Sequence, residues 1–477
     1  MCGFFFFTQI HMNTKKTEKG DLKSMEFIKK YFRIEERGTT IGKELLGGLT
    51  TFLTMAYILF ANPSLMGGVV SDGAGGTIQL VAGLDLNAVF LATALAAGLA
   101  TLAMGLFARI PVALAPGMGL NAFFSFTIVV NMGYSWEEAL AAVLVSGALY
   151  LVVTLTGLRQ KIVNAIPQSL KYAIGAGIGF FIAYIGLVNV GVVINTGGTN
   201  TSLGDLTNPV AILALFGIIV TMILLALKVR AAVFFGLVIT AVFGLILGEG
   251  FGVANMPVFN GLVGSVPSLA PTFGGAFRGI GGLLSTAGGW FAIFAFLFVD
   301  FFDTSGTLMA VTGQMENVTE EDLQKANVVD ASATVVGSVL GTSTVTSYIE
   351  SLSGVGAGAR TGLASAFTGI LFLLSIFLSP LLSLITPSVT AAAMVIVGTM
   401  MATSIGKIEW NKWEISIASF MTILVMILSY SISDGIGFGF LTYVIVMIFG
   451  KKAKEVSPLL YAATLLFIAY IVLLNVL

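Results

Sequence analysis

The sequence predicts an all-α polytopic membrane protein built as two inverted sets of seven spans, and three observations carry that prediction. Of 477 residues, 57% are hydrophobic and only 10% charged, with a mean hydropathy of +0.99, whereas soluble domains carry about 25% charged residues. A soluble globular fold is excluded. Apolar runs near the ~20 residues needed to cross ~30 Å of hydrocarbon recur from Leu45 to the C-terminus. A Gly/Pro-rich stretch then divides these runs into seven and seven with one left over. An odd number of spans in the first half makes the second enter the membrane with opposite orientation.

Residues 1–44 form a leader holding nine of the 23 Lys and Arg residues. Its apolar stretch, Phe4–Phe7, is too short for a signal peptide, so the leader reads as cytoplasmic. Met25 opens a second start, which makes residues 1–24 either a disordered extension or an artefact of start choice, with no assigned role. The first repeat, 45–250, contains spans near 45–66, 86–107, 112–130, 136–157, 163–190, 207–227 and 232–249. A connector covers 251–283. The second repeat, 284–477, contains spans near 284–312, 327–341, 343–357, 361–380, 388–405, 413–430 and 434–450, with an extra apolar run at 457–476.

Alternate threading puts Arg109, Arg159 with Lys161, Lys228 with Arg230, Lys407 with Lys412, and Lys451, Lys452 and Lys454 on the side of the leader. The positive-inside rule is then met at five loops. Loops 131–135, 191–206 and 381–387 on the other side hold no Lys or Arg, and the connector holds only Arg278. Weak internal similarity supports a duplication, since Ile166–Leu170 (IPQSL) in the fifth span faces Ile385–Val389 (ITPSV) in the twelfth. The third and tenth spans are both interrupted. Pro111, Pro116, Gly117 and Gly119 precede Asn121, and the small, β-branched run Gly341–Ser347 precedes Glu350. Short extended segments are expected there, and matched interruptions in two halves point to a transporter's binding site, because broken helices leave backbone groups free for a ligand.

A carboxylate inside a bilayer is costly and is a functional candidate by default. Five lie within or at the ends of spans: Asp300, Asp303, Asp330, Glu350 and Asp434. Asp300 and Asp303, at i and i+3, share one helix face that must look inward. The alternative is that Asp303 caps a helix break at Thr304-Ser305-Gly306 while Asp300 pairs with a distant base. Glu350, just before Ser351, can accept two parallel N–H bonds from a planar ligand, or else forms an ion pair with Arg360. Asp330 reads equally as a helix-to-helix acceptor and Asp434 as a cap at a helix start, so both are left outside the site. Asn121 offers an amide donor and acceptor beside Phe123 and Phe124, although most of the 37 Phe residues must simply pack. The glycines at 47, 48, 175, 177 and 179 read as close helix packing rather than a phosphate cradle.

Other functions are poorly supplied. A net charge of −1 offers no basic excess for nucleic acid. The single cysteine, Cys2, and the lone His11 exclude a disulfide, a cysteine zinc site or histidine chemistry, so neither an enzyme nor a metal or organic cofactor is expected.

Four motifs in order, Gly47–Tyr57, Pro116–Ala122, Asp300–Thr307, and Thr342–Glu350 with Gly362-Leu363, closely resemble the AzgA-like purine permeases of the nucleobase/ascorbate transporter superfamily. The resemblance runs from about residue 25 to the C-terminus. It implies fourteen spans in two inverted repeats, with a core domain (spans 1–4 and 8–11) moving against a gate domain (5–7 and 12–14). It also implies proton-coupled uptake of adenine, guanine or hypoxanthine across the cell membrane. Carried over by motif, Glu350, Asn121, Gly119, Asp300 and Ser351 are the expected substrate-binding residues, and Asp300, Asp303 and Glu350 the proton-coupling ones. The expected partners are a purine nucleobase, membrane lipid and a second copy of the chain as a homodimer, with the proton as coupling ion. A xanthine or uracil carrier is the nearest alternative. An anion exchanger of the same fold is disfavoured, because three carboxylates are expected to converge and the third, eighth and tenth spans contain no Lys or Arg.

Overall fold

The structure, a computed structural model, describes residues 25–71, 77–156, 165–194, 201–254, 256–315 and 317–476. Residues 1–24 and the positions Arg159 and Lys161 used in the charge count lie outside the described residues. Among the described residues, nine helices are long and apolar enough to cross a membrane, with four shorter apolar helices beside them.

The first half holds α1 (Ile41–Met55), α2 (Ile58–Met66), the hairpin β1 (Val69–Ser71) and β2 (Thr77–Gln79), and α3 (Leu86–Ala103). Next come β3 (Leu114–Pro116), α4 (Met118–Ala122), α5 (Trp136–Leu155) and α6 (Gln168–Asn189). A second hairpin, β4 (Val193–Ile194) with β5 (Ser202–Leu203), leads to α7 (Pro209–Ala226) and α8 (Ala232–Leu245). The second half holds α9 (Gly275–Leu284), α10 (Ala287–Thr312), α11 (Glu320–Leu340), β6 (Val345–Ser347), α12 (Ser351–Gly356) and α13 (Gly362–Leu374). It ends with α14 (Pro387–Ala402), α15 (Trp413–Leu428), α16 (Ile432–Phe449) and α17 (Pro458–Val476).

These elements pack as two bodies. In the core body α13 lies on α1 and α3, while α9 and α11 lie on α5. In the gate body α14 lies on α6 and α7, and α15 on α6 and α16. Missing side chains let helices approach: a Cβ on Gly47 would lie 2.5 Å from Ala359 Cβ, and one on Gly179 2.5 Å from Gly398 O. The similarity between the fifth and twelfth spans has a structural counterpart. Pro167 is the N-cap of α6 and Pro387 the first residue of α14, and the two helices pack on each other.

Two expectations are corrected. The helix break at Thr304-Ser305-Gly306 does not exist: α10 runs unbroken to Thr312, and the Thr304 hydroxyl bonds Asp330 rather than competing for local backbone. The ninth span begins at Glu320, not 327, because a capping box between Thr319 and Asp322 starts the helix within a charged stretch that hydropathy reads as loop. The end of the connector is helical, since α9 begins there at Gly275 and packs on α5. The surplus run at the C-terminus is α17, packed on α16 and α10.

Two buried charges join the halves at one end of the core body. Glu44, in the first turn of α1, is fully buried and accepts the N–H groups of Arg360 (2.7 Å), Thr361 (3.2 Å) and Ala364 (3.2 Å). It thereby caps α13 from the other half of the chain with charge-assisted bonds. Arg37 pairs with Asp322 at 2.7 Å, both side chains nearly solvent-free, and also donates to the carbonyls of Arg109 (2.8 Å) and Arg360 (3.3 Å). Without Arg37, Asp322 keeps only the longer contact to the partly exposed Arg33, at 3.6 Å, so Arg37→Ala should destabilise the protein by about 3 kcal/mol. A thermal melt in detergent measures this; Arg37→Lys should recover only part, because an ammonium cannot reproduce the planar fork.

Candidate functional site

Sequence dictates where the two spans break. Pro111 and Pro116 lack the N–H that a helix interior requires, Gly341 with φ 101° ends α11, and the Thr, Ser and Val residues that follow favour extended backbone. The two interruptions meet. β3 and β6 pair antiparallel, with Leu114 opposite Ser347 and Pro116 opposite Val345. Gly117 N–H to Thr344 O and Tyr348 N–H to Ala113 O, both 2.9 Å, extend the ladder. All six strand residues are buried. Non-helical backbone at membrane depth is tolerated only where protein satisfies it, and here each half satisfies the other.

A short helix follows each strand, and the candidate residues sit at these helices. Glu350 is the N-cap of α12 and half-buried. Tyr57, at the junction of α1 and α2, donates to Glu350 Oε1 at 2.9 Å. The Tyr348 hydroxyl donates to Pro116 O, so its side chain spans from the Glu350 side of the crossing to the end of β3. The alternative ion pair between Glu350 and Arg360 is not formed: Arg360 Nη1 donates instead to the carbonyls of Val355 and Ala359, at 2.6 and 2.7 Å.

Asp300 is 1% exposed, its Oδ2 accepts from Thr334 at 3.0 Å, and its Oδ1 has no protein partner. Asp303 is half-buried and interacts electrostatically with Asp330 and Glu350. Asp300 interacts likewise with Asp330 and Asp303. Among the described residues no Lys or Arg forms an ion pair with Asp300, Asp303 or Glu350, so the distant base imagined for Asp300 is absent there. Asp330, left outside the site by sequence, is fully buried at the centre of this group, with Thr304 and Ser347 donating to it at 2.7 Å each.

Asn121 on α4 is fully buried, and neither its Oδ1 nor its Nδ2 has a protein partner. Such an orphaned amide costs about 1–3 kcal/mol unless something else bonds it. Its neighbour Phe123 makes an edge contact with Phe296 of α10 at 4.8 Å between ring centroids. Gly119 lies against the gate body: a Cβ there would come within 2.6 Å of Ile178 Cγ2 on α6. The Ser351 hydroxyl is also buried and accepts the Ala113 N–H at 3.0 Å, pinning α12 to the start of β3. Asp434 lies in the first turn of α16, but the helix is capped by Ser431, which accepts from the Asp434 N–H.

Sequence reasoning missed Tyr57 as the partner of Glu350. The available signal was a phenol inside an apolar span, six residues before Pro63. Glu44 was also missed, because a carboxylate at the start of a span looks like a loop residue.

Two broken spans paired between inverted halves, in a core body beside a second helical body, define a membrane transporter. A family profile described as "Permease family" (Xan_ur_permease) matches residues 42–438, and the chain belongs to that family. It is 48% identical over 452 residues, 94% of this chain and 100% of the relative, to the guanine/hypoxanthine permease PbuG of Bacillus subtilis (strain 168). It is 37% identical over 474 residues, 98% of this chain and 99% of the relative, to the adenine permease AdeP of Escherichia coli (strain K12). The fold is shared with the transmembrane domain of the cyanobacterial bicarbonate transporter BicA, at TM-score 0.59 and 16% identity, covering 82% of this chain and 97% of that one.

Proposed function

We propose that the protein takes up purine nucleobases across the cell membrane, with its N-terminal segment in the cytoplasm, and that each base moves with protons by alternating access of the core against the gate. The observation that carries this reading is Glu350: a half-buried carboxylate at a break in a membrane span, held by Tyr57 and free of any basic partner among the described residues. A planar heterocycle with adjacent N–H donors supplies what that carboxylate lacks. The names of the relatives, guanine/hypoxanthine and adenine permeases, support the same substrate class. Guanine presents N1–H and a 2-amino group to Glu350, whereas adenine has no N1–H and requires a protonated carboxyl. Competition of labelled hypoxanthine uptake by unlabelled adenine, guanine, hypoxanthine and xanthine tests the proposal. Uptake unaffected by every purine overturns it.

Asn121 is assigned the reading of a ring edge, because an amide discriminates donors from acceptors without titrating. Asn121→Ala should weaken binding by about tenfold or re-order the competition series while leaving the pH dependence of uptake unchanged. An unchanged series and affinity would return Asn121 to helix packing.

A further inference from the structure

The gate body holds a strained residue that the proposed substrate site does not use. Tyr430, between α15 and α16, has φ 56°. A bulky residue held in that left-handed region is a genuine outlier, and such strain persists only where the surroundings enforce it. Here three rings do so. Tyr430 meets Phe126 edge-on at 5.7 Å between centroids, Phe181 at 5.4 Å and Tyr184 at 5.8 Å.

These rings belong to both bodies. Phe181 and Tyr184 lie on α6 and Tyr430 follows α15, all in the gate, whereas Phe126 lies in the core, on the π-helical stretch Phe123–Asn131 that continues α4. Such wide turns are frequent at functional sites. The cluster is adjacent to the candidate site. Phe181 is three residues beyond Ile178, which faces Gly119, and Phe126 is five residues beyond Asn121 in the same run. Both Phe126 and Phe181 are buried, at 3% and 0% exposure. Phe126 is toward the end of the third span away from Arg109, so the cluster lies beyond the site from the Arg37–Asp322 pair.

We propose that Phe126 and Tyr430 form an aromatic latch that closes the core against the gate on the face opposite the Arg37–Asp322 pair, and that it must part before that face opens to the site. The proposal rests on the alternating-access reading given above. The ring faces do the work, so the phenol is dispensable. Loss of the Tyr430 ring removes all three contacts and favours the state open on that face.

The test uses the full chain with its single cysteine removed (Cys2→Ser) and reconstituted in proteoliposomes. With Phe126→Cys and Tyr430→Cys together, a short thiol cross-linker should stop hypoxanthine uptake, and a reductant that cleaves the linker should restore it. With Ala122→Cys as reporter, a membrane-impermeant maleimide added on the latch face should react about tenfold faster in Tyr430→Ala than in Tyr430→Phe. Cross-linked protein that transports normally, or equal labelling rates in folded Tyr430→Ala and Tyr430→Phe, overturns the latch. If the unmodified protein carries no purine, the substrate reading fails, while the labelling rates still decide the latch.

Discussion

Glu350→Gln is expected to abolish purine uptake while leaving the protein folded in the membrane at normal levels. The substitution keeps shape and the bond from Tyr57, which an amide oxygen also accepts, and removes the charge. A charged acceptor facing two parallel donors is roughly twice as strong as a neutral one. The exchange also turns half of the carboxylate into an N–H₂ group that opposes a donor on the base. Together these should cost a few kcal/mol, or at least a hundredfold in affinity. Equilibrium binding of radiolabelled guanine and hypoxanthine to purified protein, alongside uptake, separates loss of substrate from loss of coupling. Near-normal binding and transport in that variant would remove Glu350 from the substrate site.

The second large effect is expected at Asp300. Asp300, Asp303 and Asp330 interact in a buried region, without a basic ion-pair partner for Asp300 or Asp303 among the described residues. Like charges gathered in a low dielectric do not all ionise together, so the proposed proton coupling is assigned to the set rather than to one residue. Asp300 is the more enclosed of the α10 pair, at 1% exposure against a half-buried Asp303. In proteoliposomes Asp300→Asn should retain purine exchange down a purine gradient but lose accumulation driven by an inward proton gradient. Asn keeps an acceptor for Thr334 yet cannot carry a proton in and out. Wild-type accumulation that ignores a protonophore and follows sodium would instead make these carboxylates part of a cation site.

Hydropathy made the spans legible because a bilayer forces helices to be long, apolar and internally hydrogen-bonded. It failed where charge and helix coincide, as at Glu320–Lys325, since a capped helix extends beyond the hydrocarbon. The interruptions were legible from Pro111, Pro116 and the Thr-rich run, but not their pairing: antiparallel register between β3 and β6 depends on how the halves interlock, which no local pattern encodes. Asp300, Asp303 and Glu350 stood out because isolated charge in apolar sequence is conspicuous. Asp330 is as conspicuous, but its place in the group is not, and Tyr57 is not conspicuous at all, because what distinguishes them is the partner each bonds, Thr304 with Ser347 and Glu350. The break expected at Thr304-Ser305-Gly306 failed for a related reason. A small polar triplet reads as a breaker in water, but in protein interior its first hydroxyl can be claimed by a neighbouring helix.

The strand pair between the halves also dictates an order of assembly. β3 emerges early in synthesis, with backbone groups that hydrocarbon cannot solvate, and its partner β6 lies in the opposite half of the chain. Until that half inserts, the broken third span lacks the partner that satisfies its backbone, so the site forms only through a long-range encounter between the halves. The same pairing means that a chain of half this length holds one strand and no site. It would become a carrier only by meeting a second copy inserted upside down, and fusion through the connector turns that chance meeting into a permanent one.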